Sequence, residues 1–252
     1  MTTRQASDGA DRFVLVAGAA GGIGSACALA LARAGFGLVL VGRRQEQLDA
    51  VGDRVNAEGA RAVIKTADLS DPEQVEAAVT SAPGTLWGCV HAAGTNRTGP
   101  TLSFSDQDFD LLVQMNIRST FLLFRAAARR MISTAGGRLV AISSQMGSVG
   151  YPGRAAYCAS KHAVNGLVRA LAVEWAGAGV TVNAVAPTFV ETELTAPMFK
   201  EQSFLDDVLR RLPLGRIGTA EEVADVVAFL VSPQASLVTG SIVAADGGWT
   251  AW

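Results

Sequence analysis

Short runs of apolar and β-branched residues alternate along the chain with longer Ala- and Leu-rich stretches whose apolar positions recur at helical spacing. The runs fall at 13–17, 37–41, 62–66, 86–91, 138–143, 180–186 and 241–245. Most are nearly continuous in Val, Ile, Leu and Ala, the pattern of parallel strands covered on both faces. The stretches between them carry helix signals. Asp71-Pro72 opens one helix, with proline where the missing N–H costs nothing. Thr219-Ala220-Glu221-Glu222 reads as a capping box, and Gly35, Gly59 and Gly179 stand where helices stop. Alternation of this regularity implies an α/β fold: one doubly wound parallel sheet of about seven strands, with helices on both faces. No linker divides residues 12–252, which read as one domain behind a flexible polar tail at 1–11. The region 188–213 fits the alternation worst. Its Phe189, Met198, Phe199, Phe204 and Leu205 lie among charges, as in a helical flap over a substrate.

Composition narrows what such a domain can do. The 252 residues are 49% hydrophobic and 17% charged, and 21 basic against 23 acidic side chains leave a net charge of -2. A chain of this size buries enough surface to fold without a disulfide or metal. Its balanced charge argues against nucleic acid or an acidic membrane as partner. Cys27, Cys89 and Cys158 form no CxxC pair and only two histidines accompany them, so reduced thiols and no metal site are expected. The uncharged stretch 13–32 has the length of a membrane span, but Gly18, Gly21, Gly22 and Gly24 break it, and acidic Asp8 and Asp11 precede it. The expected location is therefore the cytoplasm. One imbalance stands out: there are 18 Arg but only 3 Lys, and only 2 Tyr.

Gly18, Gly22, Ile23 and Gly24 follow the first strand and open a helix. Glycines there let the backbone approach a pyrophosphate that the helix N-terminus favours; they also serve close helix–strand packing without any ligand. The second strand ends in Gly42-Arg43-Arg44, where an NAD-binding sheet would place an acid. Arginine can pair with a 2′-phosphate, so NADP(H) is expected over NAD(H), with Arg43 as the main contact. The alternative is a solvated helix start.

Tyr157 and Lys161 stand four apart on one helix face, and with so few of either residue a chance pair is about a two per cent event. A nearby ammonium stabilises a phenolate, so Tyr157 could exchange a proton with an alcohol or carbonyl. Ser144, thirteen residues earlier, ends the fifth strand, where a hydroxyl points into the ligand crevice of such sheets.

With these residues in place, the chain resembles the short-chain dehydrogenase/reductase family of single-domain type, from 13 to 249. The family's glycine motif matches Gly18, Gly22, Ile23 and Gly24, and its strand-end aspartate matches Asp68, followed by Leu69. Its Asn-Asn-Ala-Gly motif is reduced here to His91-Ala92-Ala93-Gly94. Asn116, Ser144, Tyr157 and Lys161 match the catalytic set, and Pro187, Thr188, Val190 and Thr192 match the segment beside the nicotinamide. The resemblance implies a Rossmann fold and hydride transfer between nicotinamide and a secondary alcohol or ketone. It implies Tyr157 as general acid/base, Lys161 lowering its pKa and holding the ribose, Ser144 steadying the substrate oxygen, and Asn116 placing a relay water. Ala93, Gly94, Tyr157 and Lys161 are then cofactor contacts too.

Thr95, Arg97, Gln145, Met146, Tyr151, Arg154 and Phe189 are the candidate pocket walls, with Met198 beside them. This polar mixture leans toward a small-molecule substrate such as a sugar, sugar acid or hydroxy acid, with Arg97 or Arg154 available to a carboxylate. The runner-up is a 3-oxoacyl-carrier-protein reductase, which 213–216 onward resembles. The usual basic docking positions are Ala135 and Ala178, though Arg129 and Arg130 could compensate. A non-enzymatic NADP(H)-sensing protein is the alternative of another class, and a methyltransferase on a similar sheet is a third. The family resemblance also implies a homotetramer, or a homodimer, through helices at 106–131 and 155–178. Phe121, Phe124, Leu167, Leu171, Trp175, Trp249 and Trp252 are candidates for that contact.

Overall fold

A computed structural model describes residues 12–134, 136–193 and 195–251. The expected tail, Ala135 and Trp252 lie outside the described residues. Seven strands form one parallel sheet: β1 (Arg12–Ala17), β2 (Gly37–Gly42), β3 (Ala62–Thr66), β4 (Thr85–His91), β5 (Gly137–Ile142), β6 (Val180–Pro187) and β7 (Ile242–Ala245). Their order is β3-β2-β1-β4-β5-β6-β7. Each expected run is a strand, with ends displaced by at most one residue.

The strands are mostly apolar because both faces are covered. Phe13, Leu15 and Ala17 of β1 pack with α3 (Pro72–Thr80), α5 (Ser119–Ile132) and α6 (Ala155–Trp175). Val14 and Val16 face α1 (Gly22–Arg33), α2 (Gln45–Ala57) and α8 (Ala220–Val231) on the other side. A third cluster lies beyond the strand ends. There Met146, Cys158, Phe189, Val208, Leu212 and Trp249 come together from segments that follow β5, β6 and β7. The three cysteines are free and buried.

The helix signals hold at their positions. Asp71 accepts from the Glu73 and Gln74 amides, and Thr219 and Glu222 form a reciprocal capping box. The expected helix over 106–131 is instead broken. α4 (Asp106–Leu112) passes into a π-helical stretch, Val113–Arg118, before α5. The segment at 188–213 contains a 3-10 turn, Met198–Lys200, and α7 (Gln202–Arg210). Val208 of α7 is fully buried in the third cluster. Among the described residues no helix is long and apolar enough to cross a membrane.

Packing also separates the residues expected at a subunit contact. Phe124 and Leu171 are buried in this chain's own core, whereas Phe121 is exposed. Trp249 is no loose tail residue: it lies 6.0 Å from Tyr151 and 5.7 Å from Phe189, ring centre to ring centre.

Candidate active site

Strand order reverses between β1 and β4, so the loops leaving their carboxyl ends part and open a crevice. Gly18 turns with φ +80, and a Cβ there would lie 2.6 Å from the Ala93 backbone nitrogen. The two loops therefore meet with room for backbone alone. A Cβ on Gly24 would enter the Gly18 carbonyl, and one on Gly22 would lie 2.7 Å from Thr192 Cγ2. Helix α1 starts beside this floor with no side-chain cap and no acid in its first turn. Its first amides and positive end are thus open to an anion, which fits the pyrophosphate of a dinucleotide. Ile23, Ala93, Gly94, Pro187, Thr188, Val190 and Thr192 line the adjoining cavity. The Thr188 hydroxyl is buried without a partner among the described residues.

The other end of this groove lies at β2 and β3. Asp68 accepts the Ser70 amide at 2.9 Å. That bond, helped by the Arg43 charge, holds its carboxyl below the usual range. Arg43 itself is exposed. The side chain of Leu69 is buried in the core, leaving only its backbone for a ligand.

Ser144, Tyr157 and Lys161 line the cavity together. Tyr157 and Lys161 are one turn apart on α6, and the Lys161 ammonium is 5.7 Å from the Tyr157 ring centre. Lys161 Nζ donates to the Ile142 carbonyl at 2.9 Å. Ser144 follows β5, and its hydroxyl accepts from the Met146 amide at 3.2 Å. Asn116 stands behind them in the π-helical stretch. Its Oδ1 accepts the Thr95 amide at 2.9 Å, and its Nδ2 donates to the Thr95 carbonyl and to Ser160 Oγ, each at 3.0 Å. This clasp fixes the loop after β4, where the family's second asparagine is replaced by Ala92. His91 contributes from below, with Nε2 2.9 Å from Ser119 Oγ.

Burial raises the Tyr157 pKa; the Ser144 hydroxyl and the Arg154 charge oppose that rise. Arg154, the residue that precedes α6, thus adds a second positive charge near the phenol, besides the Lys161 ammonium. Burial brings Lys161 down to about 8. His91 falls to about 3, through burial first and the Lys161 charge second.

The candidate substrate residues divide. Thr95, Gln145, Met146, Arg154 and Phe189 line the cavity. Arg97 does not: it is exposed and paired with Asp108 at 3.1 Å. Tyr151 stands behind the wall, its hydroxyl donating to Asp207 at 3.0 Å and its ring 5.7 Å from Arg154. Sequence reading passed over Asn165. It is buried, accepts from Ser143 Oγ at 2.6 Å and donates to the Gly147 carbonyl at 2.9 Å. A signal existed: Tyr157, Lys161 and Asn165 run at i, i+4 and i+8 on one face.

Residues 18–250 match the family described as enoyl-(acyl carrier protein) reductase. A 3-oxoacyl-[acyl-carrier-protein] reductase of Rickettsia felis is 36% identical over 234 residues, covering 93% of this chain and 95% of the relative. Galactitol 2-dehydrogenase (L-tagatose-forming) of Cereibacter sphaeroides is 38% identical over 241 residues, 94% of each chain. A gluconate 5-dehydrogenase structure from Burkholderia cenocepacia, in complex with NADP and tartrate, superposes with TM-score 0.91 at 32% identity, covering 96% of both chains. Sheet order, glycine floor and the Ser144/Tyr157/Lys161 cluster agree with these likenesses, and the chain belongs to the short-chain dehydrogenase/reductase family, as an oxidoreductase that acts on CH–OH groups with a nicotinamide cofactor.

Proposed function

We propose that this enzyme interconverts a secondary alcohol and a ketone on a polar small molecule, a sugar, sugar acid or hydroxy acid, with NADP(H) favoured over NAD(H). The observation that carries the reading is the convergence of Ser144, Tyr157 and Lys161 on one cavity that adjoins the glycine floor. When bound, the nicotinamide accepts or supplies the hydride. Tyr157 holds the proton at its phenol oxygen and exchanges it with the substrate oxygen, while Ser144 hydrogen-bonds the same atom and fixes its position. Lys161 Nζ lies on the cavity side of Gly94, where a Cβ would be only 3.8 Å away, so a ribose can approach it. Asn116 holds the loop that carries Gly94 and Thr95, and a water beside it relays the proton toward solvent. Arg43 takes the 2′-phosphate. The segment 188–213 closes over the substrate as part of a single domain, and the enzyme works in the cytoplasm as a homotetramer or homodimer.

Carrier-protein reduction is disfavoured by the fate of the candidate docking arginines. Arg130 is spent on the carbonyls of Val79, Ala82 and Gly84, and Arg129 pairs with Glu76 at 2.9 Å. The Ala178 position supplies no charge, and Ala135 is outside the described residues.

Tyr157→Phe is the direct test. Removing a positioned acid/base should lower kcat by about 10²–10⁴-fold, with NADPH binding, followed by fluorescence, unchanged. Retained turnover would end the assignment. Rates at matched NADP and NAD concentrations test the cofactor preference, with NADP expected to be faster; a clear NAD preference would remove Arg43 from its role.

A further inference from the structure

Arg154 is a buried residue, with 6% of its surface exposed, and its guanidinium makes no hydrogen bond or ion pair with any described residue. It lines the cavity that holds Tyr157 and Ser144. Its contacts are aromatic: the Tyr151 and Phe189 ring centres each lie 5.7 Å away. Asp207, the acid held by Tyr151, is already engaged: it accepts from Tyr151 at 3.0 Å, from Arg211 at 3.1 Å and from Arg210 at 3.2 Å. A guanidinium cannot shed its proton under ordinary conditions. An unpaired cation at a largely buried position is costly, so the rings hold in place a charge open to an anion that enters the cavity.

Gln145 lines the same cavity. It is buried, and its Oε1 has no partner among the described residues. Its amide can accept from a hydroxyl. Arg154 immediately precedes α6 and Tyr157 lies in its first turn; both line the same cavity, and the Arg154 charge acts on the Tyr157 phenol. An anion on Arg154 is therefore close to the reacting oxygen on Tyr157. The rings that contact Arg154, Tyr151 and Phe189, belong to the third cluster, whereas Ala20 and Ile23 beside the glycine floor pack with the core of α1, α2 and α8. The anion it awaits is on the substrate rather than on the dinucleotide.

We propose that Arg154 is the specificity-determining residue of this enzyme, binding a substrate carboxylate, with Gln145 accepting a hydroxyl of the same molecule. The substrate class is then a polyhydroxy acid or its keto form, with a neutral polyol or a thioester disfavoured. This rests on the oxidoreductase reading above and narrows it. Burial lowers the Arg154 pKa, as expected of a cation held without its counterion.

The test pairs five- and six-carbon aldonates with the matching alditols, using the full chain with NADP. Binding is read by ligand-induced thermal shift in Tyr157→Phe, which needs no turnover, and kcat/KM is read in the parent enzyme. Aldonates should bind and turn over in preference to alditols. Arg154→Met should cost aldonates about 30-fold or more, the lower end for truncating a buried charge partner, and alditols a far smaller factor. Arg154→Lys, which keeps the charge and loses the fork, should fall between and serves if the Met variant does not fold. Equal losses on both series, or alditols preferred by the parent enzyme, would overturn the inference. Turnover of any secondary alcohol, abolished in Tyr157→Phe, reports separately on the oxidoreductase reading.

Discussion

His91 is the residue at which this chain departs furthest from its family's motif, and its surroundings define what the change does. The ring is 2% exposed, stands edge-on to Phe124 and donates from Nε2 to Ser119 Oγ, whose own proton goes to the Met115 carbonyl. Its pKa is about 3 in the fold against 6.5 outside it. The neutral form is the folded form, so the unfolded chain takes up the extra proton. His91 thus contributes stability above pH 6.5 that is lost as the pH falls toward 3. The carboxylates titrate over part of the same range, so the measurement is a difference. His91→Asn, which restores the family's residue type, should flatten the acid limb of the stability curve relative to the parent. At pH 4.5, two units below the unfolded pKa, the gap should be about 3 kcal/mol. Parallel acid limbs in denaturant titrations would contradict it. Residue chemistry was only partly legible in the sequence. Tyr157, Lys161 and Ser144 stood out through rarity and spacing. Arg97 and Arg154 looked equivalent, and only packing separates the solvated, paired one from the buried, unpaired one.

At the scale of elements, the strands were legible because a parallel strand with two covered faces is a nearly continuous apolar run. The π-helical stretch at Val113–Arg118 was hidden for the opposite reason. Its apolar spacing still reads as helix, and the widened turn is absorbed by side-chain hydroxyls: Ser119 Oγ donates to the Met115 carbonyl at 2.6 Å and Thr120 Oγ1 to the Asn116 carbonyl at 2.7 Å. Such stretches recur at functional sites, and here it is the element that carries Asn116 to Thr95. Helix α8 offers a prediction confined to stability. Its capping box satisfies two amides, with the Thr219 amide donating to Glu222 at 2.9 Å and the Glu222 amide to Thr219 Oγ1 at 3.3 Å. Thr219→Ala should cost about 1 kcal/mol, a fall of about 2–4 °C in Tm for a chain of this size. A fall several times larger would mean that Thr219 supports more than the helix end.

At the scale of the whole molecule, four of the nine large apolar side chains left exposed among the described residues lie between 102 and 121. Phe109 and Val113, in α4 and the turn after it, and Phe121 of α5 are all open to solvent, and Leu102 just before them is fully exposed. They follow one another along the two-part helix that the family resemblance assigns to subunit contacts. Phe124 and Leu171 on the same helices are committed to the sheet. The sequence could not make that division, because apolar residues on both sides of a helix look alike until the sheet chooses one face. Isolated apolar side chains on a surface need no explanation, whereas a contiguous set marks an association surface. A homotetramer of 26.1 kDa chains should scatter light as a particle of about 104 kDa, four chain masses, and a homodimer as half of that. Phe121→Glu places a charge in the open set beside Arg125, whose guanidinium already lies 5.1 Å from the Phe121 ring. Because Phe121 faces outward, the variant should keep the parent's fold by circular dichroism while its scattering mass drops by at least half. An unchanged mass would move the contact elsewhere on the surface, and a monomeric parent enzyme would remove it altogether.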